Sequence, residues 1–176
     1  MAVQFADIQL WAGSGSQQAA VVIDFNDGQT PRSYVWGFRW NGTATGEQAL
    51  RAIVAADPLL ETQISVFSFG ASLDRVDYLP LSSGGFRHSR AADFSPAVGT
   101  YWSYWTSVEG SNSWSFSSVG MSARQLTNGA VDGWAFSNPN YNAVAPTAPV
   151  AAVPEPATLT ALAVGAAALL RRRRKA

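Results

Sequence analysis

The stretch Ala157–Leu170 carries no charge, and Arg171, Arg172, Arg173, Arg174 and Lys175 follow it at once. A surface helix needs a polar stripe to face water, and this stretch has none. As a helix it would span about 21 Å, short of the roughly 30 Å bilayer core, so length alone would also allow a buried core helix. The cations favour the membrane. They suit the C-terminal end of a helix dipole, and their long side chains can reach the headgroups on the cytoplasmic side. A transmembrane helix over residues 157–170 with a basic terminus over 171–175 is expected, in preference to a disordered basic tail or an amphipathic helix for a partner. The folded domain must then be built from what precedes it.

Directly upstream, residues 141–153 are rich in Ala, Pro, Val and Thr. Proline donates no backbone hydrogen bond and favours extended chain, so this segment reads as a semi-rigid linker. Pro154-Glu155-Pro156 joins it to the apolar stretch. The run Val153-Pro-Glu-Pro-Ala-Thr-Leu, a short apolar helix and a terminal arginine cluster, in that order, resembles a PEP-CTERM sorting signal over residues 153–176. The resemblance implies export across the inner membrane of a Gram-negative bacterium and a pause in inner membrane lipid. An exosortase-type enzyme would then recognise Pro154, Glu155 and Pro156. The mature body would stay in the cell envelope or reach the surface or extracellular matrix, with an exopolysaccharide or small ligand as a further partner. The protein would be the substrate, and the catalytic residues would belong to the enzyme. The family also implies an N-terminal signal peptide. Met1–Leu10 has neither a basic residue nor an apolar run, so a start codon assigned too late is expected.

The body is plainly different from the tail. Seven arginines against eleven carboxylates leave residues 1–153 at −4, whereas the tail is basic. An acidic body argues against nucleic acid, whose phosphates need a basic surface. The absence of cysteine removes disulfides, thiolate catalysis and cysteine–zinc sites. A single histidine removes multi-histidine metal sites. No metal and no cofactor are expected.

Strand signals dominate residues 1–140, the expected extracytoplasmic domain. Residues 3–11 alternate loosely. Residues 19–25 form a β-branched run ended by Asn26-Asp27-Gly28, and residues 34–40 an alternating aromatic run ended by Asn41-Gly42. These two runs are expected to pair antiparallel. Thr45 and Gln48 have the spacing of a capping box, and Ala49, Leu50, Ile53 and Val54 share one helical face up to Asp57-Pro58. Further strands are expected over 64–69, 74–81, 101–106, 114–117 and 134–136, with turns at Asn128-Gly129 and Asp132-Gly133. The fold class is α+β: a mostly antiparallel sheet with one main helix, with a β-grasp-like arrangement among its forms. The order of strand pair, helix, Tyr101-Trp-Ser-Tyr-Trp105 and Val131-Asp-Gly-Trp-Ala-Phe136 resembles the transcobalamin-like C-terminal domain over residues 18–137. That resemblance implies a surface module, some of whose relatives contact corrinoids.

Trp36, Phe38 and Trp40 share one strand face and read as core. In Tyr101–Trp105 both faces carry rings, so Trp102, Tyr104 and Trp105 are candidate ligand contacts, because such rings stack on sugars or flat macrocycles. Asp24-Phe-Asn-Asp-Gly28 lacks the spacing of a calcium loop and reads as a turn. His88, in a Gly/Ser/Arg-rich stretch, reads as part of an exposed loop. No Gly-x-Ser-x-Gly context accompanies it. A non-catalytic surface protein is the favoured reading. The alternatives are a corrinoid-binding module and an envelope hydrolase using Asp24, Asp27 or His88.

Overall fold

The computed structural model describes residues 2–68 and 70–153. The sorting motif, the expected membrane helix and the basic terminus, residues 154–176, lie outside the described residues. Among the described residues no helix is long and apolar enough to cross a membrane.

After a 3-10 turn over Phe5–Asp7, the chain forms β1 (Trp11–Gly13), β2 (Gln17–Asp24) and β3 (Ser33–Trp40), then α1 (Gly46–Ala56). There follow β4 (Leu60–Phe67), β5 (Gly70–Pro80), β6 (Phe86–Ala91), β7 (Trp102–Val108), β8 (Ser115–Phe116), β9 (Ala130–Phe136) and β10 (Val150–Ala151). This mixture of strands with one α-helix is α+β. The main sheet runs β1-β3-β2-β9-β7-β8, with β10 also on β3, and β4-β5-β6 form a second sheet. The expected antiparallel pair is present: β2 and β3 run from Gln17 opposite Trp40 to Asp24 opposite Ser33. The sheet is more mixed than expected, because β2–β9, β1–β3 and β10–β3 are parallel.

Alternation explains the layers. On β2, Ala19, Val21 and Ile23 face one core, while Ala20 and Val22 face another. The inner core also takes Trp36, Phe38 and Trp40 from β3, as their spacing predicts, together with Ala49, Leu50 and Ile53 of α1 and Leu73, Val76 and Tyr78 of β5. The outer core is closed by Val3, Phe5 and Ile8, with Trp114 packed beside them. That role explains why residues 3–11 do not form the expected strand. Phe5 and Ile8 reach the sheet from a tight turn, and Glu109 accepts from the Phe5 amide at 3.0 Å.

Helix α1 starts and stops where the sequence says. Thr45 accepts from the Gln48 amide at 3.2 Å while Gln48 Oε1 accepts from the Thr45 amide at 2.9 Å. At the other end Asp57 is fully buried and accepts from the Trp36 indole at 2.8 Å, locking the helix stop to the centre of β3. Asp132-Gly133 is a correction. It lies inside β9 rather than at a turn, and Gly133 is required because Trp114 and Pro146 carbons lie 2.8 Å from where its Cβ would be.

The Ala/Pro segment 141–153 is not free of the domain. Thr147 bonds to Asp24, β10 pairs with β3, and Ala152 is fully buried. The sequence reading missed this because alanine and proline carry no strand signal of their own, and here the neighbouring β3 edge supplies the pairing. Thr45→Ala removes one half of the α1 capping box and is expected to lower stability by about 1 kcal/mol. Urea unfolding followed by circular dichroism would show it as a lower midpoint with an unchanged slope.

Candidate functional site

An aromatic-lined opening lies between the two sheets. It is a cleft of ≈ 230 Å³, walled by Leu73 of β5, Trp102 and Tyr104 of β7, Trp134 of β9, and Gly120 and Met121 of the following loop. Alternation along β7 puts Trp102 and Tyr104 on this side and sends Trp105 to the other. Trp105 instead packs edge-on against Phe116 at 5.3 Å and donates its indole hydrogen to Ser103 Oγ at 2.9 Å. Of the three rings singled out in the sequence, the structure therefore brings two together. Trp134 is the neighbour that completes the wall, stacked on Tyr104 with centroids 4.6 Å apart. The buried Trp102 Nε1 has no hydrogen-bond partner among the described residues.

Behind the cleft sits a polar group that the sequence reading passed over as a turn marker. Asp132 is fully buried, accepts a short hydrogen bond from the Tyr104 hydroxyl, and faces Arg124 Nε at 3.4 Å. Gly46, the first residue of α1, is pressed against this pair. A Cβ there would come within 2.1 Å of the Tyr104 oxygen and 2.9 Å of Asp132 Oδ2. Burial pushes the Asp132 carboxyl above its ordinary range, opposed by the Tyr104 hydrogen bond and the Arg124 charge. Burial also raises the Tyr104 hydroxyl, and the adjacent Asp132 carboxylate adds to it. The pair positions the Tyr104 ring.

Asp24, Asp27 and His88, the residues of the hydrolase alternative, lie elsewhere. His88 is not in an exposed loop. It sits on β6 opposite Tyr78 and is fully buried. Its Nδ1 is 2.7 Å from Asp27 Oδ2 and its Nε2 is 2.9 Å from the Tyr34 hydroxyl, with Phe25 against the ring at 4.8 Å. The Gly84-Gly85 turn that made the stretch look like a loop instead returns the chain into a strand. Asp24 is equally occupied. Its oxygens accept from the Asn26 amide at 3.0 Å, from Arg32 and from Thr147. Asn26, with φ at 45°, makes the turn after β2 as expected. Among the described residues no group of three acidic or histidine side chains is arranged to hold a metal.

Fold and cleft together define an α+β domain whose last described strand, β10, lies just ahead of the tail. The tail carries the match to known proteins: residues 152–175 fit the family model described as the PEP-CTERM protein-sorting motif. That match supports an exported, envelope-associated protein handled by an exosortase-type enzyme. No curated protein and no solved structure matches the chain.

The Asp132 carboxyl gives a pH signature. Its folded pKa lies above the ordinary 3.8, so the native state holds this proton more tightly than the unfolded chain does. The stability it contributes is fully present below the unfolded value and is lost as pH rises through the raised folded value. In urea titrations at stepped pH, wild type should gain stability relative to Asp132→Asn as the pH falls through that window. Parallel curves would mean the carboxyl is not desolvated in the native protein.

Proposed function

We propose that this chain is an exported bacterial surface or matrix protein whose body is delivered, and then released from its membrane tail, through its sorting motif. The observation that carries this reading is the family match over residues 152–175. In this scheme residues 157–170 hold the chain in the inner membrane of a Gram-negative cell. Arg171–Arg174 and Lys175 stay in the cytoplasm, and the exosortase-type enzyme reads Pro154, Glu155 and Pro156. The rigid prolines keep the motif extended outside the lipid, where an enzyme can grip it.

The test is intact mass and fractionation in a host that produces the enzyme, comparing wild type with the Pro154/Glu155/Pro156 triple alanine variant. Wild type is expected to lose its terminal segment and leave the membrane fraction, and the variant to stay full length. A full-length, soluble, cytoplasmic product in both would end the export reading.

The body is proposed to be non-catalytic. The buried, bonded states of His88 and Asp24 support this, because a general base must reach its substrate. The strand order supports the β-grasp-like reading: a hairpin, a helix, then a late strand lying parallel beside the first strand of the hairpin. The cleft supports a small-ligand role. At ≈ 230 Å³ it lies below the roughly 300–1,000 Å³ of typical small-molecule sites, which suits a single sugar or aromatic ring better than a corrinoid macrocycle. Titration with methyl glycosides, followed by tryptophan emission, is expected to give a saturable change that Met121→Trp, which fills the cleft, removes. A response to a corrinoid alone would favour the corrinoid module. No response to either would leave the body with a structural role.

A further inference from the structure

The segment preceding the sorting motif is built into the domain as a strap. Pro146 lies over Gly133 of β9, beside the Trp114 ring. One residue on, Thr147 reaches the end of β2, where its amide and its hydroxyl each donate to Asp24 Oδ2 at 2.7 Å. Its carbonyl accepts from Ser33 Oγ at 3.3 Å. The chain then joins the edge of β3, with Val150 beside Tyr34 and Ala151 beside Val35, and the Ala152 amide donates to the Val35 carbonyl at 3.0 Å. The strap thus crosses from β9 over β2 to β3, and Asp24, buried and held by Arg32 at 3.1 Å, is its central clamp.

Only Val153 separates this strap from Pro154. Two residues of fully extended chain reach about 7 Å. An enzyme that grips a peptide in extended form also uses the backbone groups flanking its recognition motif. On the N-terminal side those flanking groups belong to Val150, Ala151 and Ala152, where Val150 and Ala151 pair with β3 and the Ala152 amide is bonded to Val35. An enzyme that bonded this backbone would have to displace it from β3.

Building on the sorting reading above, we propose that the strap over residues 144–152 governs access to the sorting motif. While it is docked, the flank of Pro154-Glu155-Pro156 is withheld from the membrane enzyme. Release of β10 and of the Thr147 clamp exposes it. After processing, the strap redocks and keeps the new C-terminus folded onto β3.

Pulse–chase conversion of the full chain to its shorter form, in a host producing the enzyme, tests this with three variants. A flexible Gly/Ser spacer inserted between Val153 and Pro154 leaves the strap and the motif intact but frees the flank. It should be converted several-fold faster than wild type. Thr147→Val keeps the shape but removes one clamp hydrogen bond, which should favour the released strap by about fivefold and speed conversion accordingly. The triple alanine variant should not be converted at all. A spacer variant converted no faster than wild type, while triple alanine stays blocked, would overturn the strap proposal and leave the sorting reading standing. Conversion of triple alanine at the wild-type rate would overturn both.

Discussion

Strand β2 carries small and branched apolar side chains on both faces, and every layer of the domain answers to that. A strand buried on two sides must have hydrogen-bonded neighbours on both edges and a cover on both faces. Here β3 and β9 supply the edges, one antiparallel and one parallel. The inner face is covered by α1 and the small sheet. Among the described residues no helix covers the outer face, and it is closed by pieces of chain that would otherwise be loop: the residues around Phe5 and Ile8, the Trp114 ring and Pro146. Residues near the start of the chain and Pro146 near its described end thus meet at the same face, while Ala152 turns into the inner core.

The sequence revealed the elements whose signals are local. The capping box at Thr45 and Gln48, the helix stop at Asp57, the Asn26–Gly28 turn and the face shared by Trp36, Phe38 and Trp40 all follow from chemistry within a few residues. What stayed hidden depends on distant partners. His88 sits among glycines, serines and arginines, yet it is buried because Asp27 and Tyr34, more than fifty residues earlier, meet both of its ring nitrogens. Asp132-Gly133 has turn composition, but a tyrosine and an arginine satisfy the carboxylate, and a tryptophan and a proline fill the space above the glycine. Neither pattern is visible without the tertiary contacts.

The cleft was half legible for the same reason. Alternation in Tyr101–Trp105 announced rings on both faces of β7, but not which face would border a cleft. The answer depends on β5 and the Met121 loop, which stand off from Trp102 and Tyr104 and leave a gap. Trp105, on the other face, is half-buried and packs edge-on against Phe116 instead. Which ring borders a gap thus depends on its tertiary neighbours, and sequence spacing does not report neighbours.

The sorting tail was the most legible part of all, because its three pieces are contiguous and chemically extreme. Yet the boundary between tail and body is not where composition puts it. An Ala/Pro stretch would ordinarily hold two modules apart. Here the same residues complete the β3 edge, and Thr147 satisfies a buried carboxylate that Arg32 and Asn26 alone would leave with a free lone pair facing the sheet. Removing the stretch to make a shorter body would therefore expose both a strand edge and a charge. A buried charge stripped of a partner is costly, and an unpaired strand edge invites association with other chains. The matched motif begins at Ala152, which the domain buries, so the domain and its signal meet within the fold rather than across a free linker.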